Sequence, residues 1–332
     1  MIELLSSEPI RLLVFLAGII AFVAVNAAYL SLLERKESAW FQLRLGPSEV
    51  GPWGLLQPLA DGIKLAGKQI ILPDGVDKLL FMIAPVMISV PVIMNLVTIP
   101  FSETLVARNI DLGLLMILSF TSFNVMGIML GGWASRNKYS VISAARVVAQ
   151  NVAYEIPMFL IAISLVMVTH TFDLRETVLM QSGGFWNWNL FNFGASPVMP
   201  VACLIFFLCL LAETNRSPFD MMEAESELIA GAITEYSGMG FGLFFISEYA
   251  NIVVGSCLMT ILFLGGWNCP FGLFPGLHWF LFKMYCIIFV VIWIRWSFPR
   301  IQFYGLLNLS WKIMIPLSLV HLLLTCVMVK IW

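Results

Sequence analysis

Charged residues are scarce in this sequence. Only 11% of its 332 residues are Asp, Glu, Lys or Arg, and 60% are hydrophobic, whereas about a quarter of a typical soluble domain is charged. This composition excludes an ordinary soluble domain. Basic charge is not in excess either, because the formal net charge is −2, so the sequence lacks the basic surface that would favour nucleic-acid binding.

Cysteine pairs with the spacing of a disulfide framework or a metal site are also missing. The six cysteines form no C-x-x-C pair, and five of them lie in apolar runs, where cysteine behaves as a small hydrophobic residue. The three histidines, His170, His278 and His321, are isolated from one another. We therefore predict no metal site and no cofactor bound by this chain, so any redox chemistry belongs to a partner.

Long apolar runs take the place of charge. Charge-free segments of 22, 24 and 24 residues begin at Leu12, Leu79 and Leu112, and each exceeds the roughly 20 residues that a helix needs to cross a bilayer. They lack the apolar/polar alternation of a membrane barrel. The sequence predicts an all-α polytopic membrane protein with a single membrane domain, residues 1–332. The length of the first run favours a retained span over a cleaved signal peptide.

We predict eight spans and one short amphipathic helix. The spans lie at about residues 10–33, 79–101, 112–133, 144–170, 197–213, 239–265, 277–296 and 312–330. The amphipathic helix, at about residues 55–68, follows from polar residues that share one helix face, Gln57, Asp61, Lys64 and Lys68. Such a helix lies in the membrane interface. It either seals the rim of the bundle or forms the lip of an opening for an amphiphilic molecule.

The basic residues predict the orientation. Eight spans place both termini on one side, and the loops then divide into two sets. One set carries 13 of the 18 Lys and Arg residues, and the other carries only Arg11, Arg108, Arg175, Lys283 and Lys330. Because short loops rich in Lys and Arg stay inside, the first set faces the cytoplasm, or the matrix in an organelle.

Three carboxylates fall within predicted spans or at their ends: Glu155, Glu213 and Glu248. A charged side chain in a span costs roughly 2.5 kcal/mol or more. No base lies one helical turn from Glu155 or Glu248, so their partners must come from other helices, or the acids are protonated part of the time. Such acids can relay protons, and we predict a proton path. The alternative is that each acid only hydrogen-bonds a neighbouring helix and fixes the packing.

The stretch between the fifth and sixth predicted spans, residues 212–238, is unusually acidic. Besides Glu213 it contains Asp220, Glu223, Glu225, Glu227 and Glu235, with Arg216 as its one base. Repulsion among these acids requires solvent, protons or a basic partner. A plain solvated loop is the usual interpretation, but the position of this loop between two buried acids favours a role in handling charge. We therefore predict that these acids handle charge and that almost nothing in the stretch compensates them.

Three segments resemble one known family. Residues 32–65, "LLERKESAWFQLRLGPSEVGPWGLLQPLADGIKL", are similar to its first inner loop, and residues 132–157, "GWASRNKYSVISAARVVAQNVAYEIP", to its third-to-fourth span connection. The acidic stretch, continued as "EYSGMGFGLFFISEYANI" and "FLGGW", is the most specific block. Over essentially its whole length the chain resembles the NADH dehydrogenase subunit 1 family of respiratory complex I, also called the H-subunit family.

This resemblance implies a non-redox membrane-arm subunit of proton-pumping NADH:quinone oxidoreductase. The subunit forms much of the quinone chamber, joins the membrane arm to the peripheral redox arm, and starts the proton-coupling route. The implied substrate is ubiquinone or menaquinone, and FMN and iron–sulfur clusters lie in partner subunits. The partners are other membrane-arm subunits, the quinone-proximal peripheral subunits and lipid. The implied location is the bacterial inner membrane, or alternatively the mitochondrial inner membrane.

The resemblance also assigns roles to residues. The positions near the quinone are Glu34, Arg35, Asp61, Arg295 and Arg300. The proton path contains Glu155, Glu213, Glu248 and Glu235. The flexible coupling loop contains Asp220, Glu223, Glu225 and Glu227, together with Arg216.

The chain departs from the usual family sequence at four inner-side places. These are Ser48, Gln69, Gly240 and the segment Gln302–Tyr304, and three of the changes remove a charge. The buried glutamates are unchanged, so the departures concern the quinone side and the peripheral-arm contacts. Two alternatives stay open: the homologous subunit of a membrane-bound hydrogenase or of an F420- or ferredoxin-linked complex, and a free-standing proton-coupled transporter. The absence of recognisable inverted halves disfavours the transporter.

Overall fold

The computed structural model describes residues 8–191, 198–222, 225–272 and 274–331, and the side chains of residues 8–12, 225 and 226 lie outside that description. Every regular element in the described residues is helical. Seven helices are long and apolar enough to cross a membrane, and Met199–Glu213 is a shorter apolar helix. The predicted fold class, an all-α polytopic membrane protein with about eight spans and a short amphipathic helix, is confirmed.

Twelve α-helices follow one another along the described chain. They are α1 (Glu8–Phe41), α2 (Gln57–Gly67), α3 (Lys78–Thr98), α4 (Gly113–Ala134), α5 (Lys138–Thr169), α6 (Leu174–Met180), α7 (Met199–Glu213), α8 (Glu225–Leu228), α9 (Gly238–Phe263), α10 (Leu277–Ser297), α11 (Phe303–Leu309) and α12 (Ile315–Ile331). A π-helical turn, Ser310–Met314, joins α11 to α12. These two helices therefore form one span, Phe303–Ile331.

Two helices extend further than the hydropathy pattern predicts. The first predicted span stops at residue 33, before the charged residues that begin at Glu34, but α1 continues to Phe41. Its backbone hydrogen bonds do not depend on side-chain polarity, and the extension keeps Glu34 and Ser38 buried against its neighbours. The start of α5 lies at Lys138 instead of about residue 144, because the Asn137 side chain caps the helix and accepts a hydrogen bond from the Tyr139 N–H.

The loops gather at two ends of the bundle. At one end, which we call the inner end, lie residues 42–77, 135–137, 214–222, 225–237 and 298–302. Backbone contacts join them, since the Asp77 N–H donates to Ala134 O at 3.4 Å and the Ile301 N–H donates to Pro218 O at 3.0 Å. Other loops meet at the opposite end through the backbone pairs Leu114–Phe172, Phe185–Pro270 and Leu190–Phe263. The acidic stretch thus lies at the inner end.

Small residues allow the central helices to pack closely. A Cβ atom on Gly127 of α4 would lie 2.5 Å from Ile88 Cγ1 and 3.0 Å from the backbone N of Ile88 on α3. One turn later, a Cβ atom on Gly131 would lie 3.0 Å from Phe244 of α9. Glycines four residues apart let helix backbones approach each other in this way. The inner-end loops rest on this tightly packed centre.

Candidate functional site

Arg216 lies between two buried carboxylates. The chain leaves α7 at Glu213 and turns back into the bundle, so that the Arg216 side chain is only 4% exposed. Its Nη1 lies 3.6 Å from Glu34 Oε2 on α1, and its Nη2 lies 3.5 Å from Glu248 Oε2 on α9. The guanidinium also lies over the Tyr249 ring, 4.6 Å from the ring centroid, a favourable cation–π arrangement. One loop residue thus joins two spans.

Glu34 has further partners on two helices. The Tyr249 hydroxyl donates a hydrogen bond to Glu34 Oε2 at 2.9 Å, and Arg295 of α10 forms an ion pair with Glu34 Oε1. We call these five residues the Arg216 cluster: Glu34, Arg216, Glu248, Tyr249 and Arg295. Its two carboxylates and two guanidiniums balance in charge, which limits the cost of burying them. Pairing between loop and helices is what makes these charges tolerable inside the bundle.

One partner of Glu248, Arg216, comes from outside its own helix and lies on a loop, whereas the sequence predicts a partner on another helix. Sequence spacing could not identify it, because Arg216 and Glu248 are far apart in the chain. Tyr249 was also not predicted, although a tyrosine directly after a buried acid is a usable signal. Its hydroxyl requires a partner when buried, and an adjacent acidic cluster offers one.

A second group of acids lies between α4, α5 and α7. Glu155 of α5 and Glu213 of α7 are close enough to interact electrostatically, beside Thr121 and Ser122 of α4. A cavity of about 310 Å³ opens here, and its lining includes Thr121, Ser122, Glu155 and Phe159. Phe159 is 46% exposed. The cavity therefore opens on the lateral surface of the bundle, and Glu155 stands at its wall.

Polar side chains of α5 hold the acidic stretch in place. Gln150 donates from its Nε2 to Ala212 O and to Phe219 O, both at 2.7 Å, and is fully buried. Ser143 donates to Met222 O at 3.1 Å, and Ser140 donates to Ala232 O at 2.7 Å. These three residues were not predicted. Their spacing of three and seven residues places them on one helix face, so a polar stripe in an otherwise apolar span was the available signal.

The acids of this stretch are less isolated than the sequence predicts. Glu227 forms an ion pair with Arg146 of α5, whose guanidinium also lies over the Phe303 ring. Glu235 accepts a hydrogen bond from Asn137 Nδ2 at 2.6 Å. The prediction that the stretch is uncompensated is therefore wrong for Glu227, because a base from a neighbouring helix reaches it.

Three acids of the stretch remain: Asp220, Glu223 and Glu225. Asp220 is partly buried and makes an interaction within the chain. Glu223 lies outside the described residues. Glu225 is described only as the first residue of α8.

The five positions assigned to the quinone divide into three places. Glu34 and Arg295 belong to the Arg216 cluster. Arg35 and Asp61 form a separate ion pair of 2.8 Å, with side chains 52% and 30% exposed. This pair ties the inner end of α1 to α2, and Gln57 Nε2 adds a hydrogen bond of 3.1 Å to Asp61 Oδ1. Arg300 instead lies beside the acidic stretch, with its Nη2 3.8 Å from Met221 Sδ.

One more acid at the inner end was not predicted. Glu37 follows Glu34 by one helical turn and is 6% exposed, and neither of its carboxyl oxygens has a hydrogen-bond partner among the described residues. Its position three residues after another buried acid was the signal in the sequence. Within the same described part of the chain, no three His, Cys, Asp or Glu side chains gather in a way that could hold a metal ion.

Comparison with known proteins adds a family. Residues 14–326 match the family described as NADH dehydrogenase. The chain is 62% identical over 316 residues to a protein of Desulfotalea psychrophila, covering 94% of this chain and 95% of that protein. It is 42% identical to a protein of Carboxydothermus hydrogenoformans, with coverage of 97% and 90%, and 41% identical to one of Methylibium petroleiphilum, with coverage of 96% and 91%. Each of the three proteins is named as the H subunit of NADH-quinone oxidoreductase.

Proposed function

The chain belongs to the NADH dehydrogenase family, and from that premise we propose that it is the membrane-embedded H subunit of an NADH-quinone oxidoreductase. The names of three relatives support this proposal, because they match nearly the whole of this chain. The subunit is a non-redox part of a translocating enzyme, and the chain alone catalyses nothing. FMN and iron–sulfur clusters belong to partner subunits, and the complex lies in the bacterial inner membrane.

The structural observation that carries the proposed coupling of quinone reduction to proton movement is the position of Arg216 between Glu34 and Glu248. Its two contacts of 3.6 and 3.5 Å are longer than the roughly 2.7–2.9 Å of a direct charge-assisted hydrogen bond. Arg216 is therefore shared between the two carboxylates. A small movement towards one carboxylate strengthens that contact at the expense of the other.

Quinone reduction supplies a cause for such a movement. Reduction of a quinone to a quinol takes up two electrons, which come from a partner's iron–sulfur cluster, and two protons. Protons taken from the inner end change the charge near Glu34. At about 4 Å, one unit of charge is worth about 4 kcal/mol at an effective dielectric of 20. This energy is sufficient to bias Arg216 between Glu34 and Glu248.

A movement of Arg216 towards one carboxylate can affect the second group of acids, Glu155 and Glu213, through a short segment of the chain. Arg216 follows Glu213 by three residues, and Gln150 holds the backbone on both sides of Arg216. Glu213 in turn interacts with Glu155. We propose a proton route from the inner end through these acids. Because the cavity beside Glu155 opens laterally, another membrane-arm subunit is the expected recipient.

The quinone enters beside α2 in this proposal. Leu59 and Ile63 of α2 are 56% and 74% exposed, which suits a helix whose apolar face contacts the bilayer. The Arg35–Asp61 pair fixes α2 against α1 close to the Arg216 cluster. This arrangement favours the lip of an opening over a plain seal. The quinone-proximal peripheral subunits would cover the inner end from outside the membrane.

The two other candidate functions are less well supported. A hydrogenase-linked or F420-linked complex shares the general chemistry of buried acids, but the three relatives reported above carry the NADH-quinone name. A free-standing transporter would not need a loop base that joins two spans at the inner end.

The proposal is tested by isolating the chain with an affinity tag in mild detergent. Partners are identified by mass spectrometry, and NADH:quinone activity is assayed on the eluate. Flavoprotein and iron–sulfur subunits with inhibitor-sensitive quinone reduction are the expected result. A nickel–iron hydrogenase partner would instead assign the chain to the hydrogenase-linked class. Recovery of the chain alone, active in proton flux, would assign it to the transporters.

A further inference from the structure

A second cavity lies at the inner end, apart from the lateral cavity beside Glu155. None of the acids or quinone-contact residues discussed above lines it. It lies where α4 ends and α5 begins and has a volume of about 690 Å³. Its lining consists of Trp133, Arg136, Asn137, Lys138, Val141 and Ile142. We call it the basic cavity.

A tight turn brings two cations to the basic cavity. Only three residues separate α4 from α5, and the Arg136 N–H donates to Trp133 O at 3.2 Å to close the turn. Arg136 has a φ of 49°, a left-handed conformation that few non-glycine residues adopt. Arg136 and Lys138 therefore lie on either side of the Asn137 cap, and both line the same cavity.

The charge of the basic cavity favours an anion. Arg136 and Lys138 are exposed, and neither side chain pairs with another residue in the described ranges. One acid, Glu235, adjoins the cavity, and Asn137 donates a hydrogen bond to it. Asp77, at the adjoining start of α3, is exposed to solvent and is followed by the exposed Lys78. The N-terminus of the long helix α5 adds partial positive charge at this place.

The remaining lining favours a lipid. Trp133 is 63% exposed and Ile142 is 47% exposed, and the neighbouring Tyr139 is 48% exposed. Tryptophan and tyrosine concentrate where a membrane meets water. Each of these side chains lies in the last turn of α4 or in the first turns of α5, next to the two cations. Charge for a headgroup and apolar surface for acyl chains thus lie side by side.

We propose that the basic cavity binds the phosphate headgroup of an anionic phospholipid of the inner leaflet. Inorganic phosphate would engage Arg136 and Lys138 but would leave Trp133 and Ile142 uncovered. A phospholipid satisfies both, and basic pockets between spanning helices on the inner side are known to suit such headgroups. The site does not depend on the quinone or proton roles proposed above.

The test uses the intact complex, purified in mild detergent and supplemented with photoactivatable phosphatidylglycerol. Cross-linked peptides are mapped by mass spectrometry as the lipid concentration is varied. We expect labelling within residues 133–142. Each cation near an anionic surface changes affinity about fivefold, so Arg136→Gln with Lys138→Gln is expected to weaken labelling about 25-fold. Lys312→Gln, which removes an exposed inner-side lysine outside this cavity, is expected to leave labelling unchanged.

Four further arms make the result decisive. Photoactivatable phosphatidylcholine is expected to label the segment weakly, and inorganic phosphate is expected not to displace phosphatidylglycerol. The charge-preserving pair Arg136→Lys and Lys138→Arg is expected to keep the labelling. Because the double glutamine variant could fail to assemble, the unmodified complex is also labelled in the presence of an unlabelled competitor. Unlabelled phosphatidylglycerol is expected to suppress the labelling more strongly than unlabelled phosphatidylcholine. The proposal would be overturned if both lipids label the segment equally or compete equally for it. It would also be overturned by displacement of phosphatidylglycerol by phosphate, or by the absence of labelling because another subunit covers the cavity.

Discussion

Arg216 Nη2 lies 3.5 Å from Glu248 Oε2, with side chains 4% and 10% exposed. Glu248 belongs to a spanning helix, whereas Arg216 belongs to the loop that follows α7. The charge of a buried acid is thus balanced by a residue whose position depends on a loop. Any change in that loop alters the electrostatic environment of Glu248, and any change in the charge of Glu248 acts on the loop.

Substitution of Arg216 separates its charge from its shape. Arg216→Met leaves Glu34 and Glu248 with a missing partner, and loss of one member of a buried ion pair typically costs about 3–5 kcal/mol. We expect little assembled complex, measured on native gels. Arg216→Lys keeps the charge but lacks the planar fork that reaches both acids. We expect assembly with quinone reduction at least about tenfold slower, equivalent to about 1.4 kcal/mol.

The control for both Arg216 variants is Arg108→Gln, which removes an exposed arginine at the opposite end of the bundle. It is expected to assemble and to reduce quinone normally. Full quinone reduction by Arg216→Lys would show that sharing between the two carboxylates is not required.

Glu213→Gln tests the second group of acids. Glutamine has the same shape but cannot carry a proton or a charge, so we expect normal assembly. The interaction between Glu213 and Glu155 is lost, and coupled quinone reduction should fall. NADH oxidation with a soluble electron acceptor, which does not involve this subunit, provides the internal reference, and Glu103→Gln in an exposed loop is the matched control. Unchanged quinone reduction and pumping would contradict the role of Glu213.

The Arg35–Asp61 pair is expected to contribute little to stability and to affect only the binding of quinone. Because both side chains are substantially exposed, solvent screens the pair, and such pairs are typically worth about 0.2–1 kcal/mol. Arg35→Gln, Asp61→Asn and the double variant should each assemble. We expect KM for quinone to rise at most about fivefold, with strong non-additivity between the two changes. A change confined to kcat would contradict a role in fixing α2 at the quinone entry.

Gly127 provides a test of the packing that supports the site. An alanine methyl group would lie 2.5 Å from Ile88 Cγ1 and 3.0 Å from a backbone atom that cannot rotate away. Overpacking of this kind costs about 1–3 kcal/mol. We expect Gly127→Ala to lower the thermal inactivation temperature of the complex. Gly18→Ala in α1 is the control, because its methyl group would meet nothing within 4 Å. Equal stability of the two variants would contradict the close packing of α3 and α4.

The sequence predicts the architecture well because a bilayer leaves few alternatives. Only helices satisfy their backbone hydrogen bonds within a single apolar segment, so the lengths of the apolar runs determine the number of spans. The same hydropathy is a poor guide to helix ends. Glu34 ended the first predicted span, yet α1 continues past it to Phe41.

Side-chain contacts between different helices could not be predicted from the sequence. The contacts of Glu34 with Arg216, Tyr249 and Arg295 depend on how each helix is rotated about its axis, and one sequence does not fix those rotations. The pairing of Glu227 with Arg146 was missed for the same reason. The polar stripe of α5 is different, because the spacing of Ser140, Ser143 and Gln150 was visible and identifies a face that holds another segment.

The most direct test of the central claim is a paired measurement on Glu248→Gln in sealed inverted membrane vesicles. NADH:quinone reduction and proton translocation are recorded in the same sample, and assembly is verified by mass spectrometry. Because this variant removes the charge on one side of Arg216 and leaves Glu34 intact, we expect both rates to fall together by at least about tenfold, or about 1.4 kcal/mol. An assembled Glu248→Gln complex with normal quinone reduction and normal pumping would contradict the account.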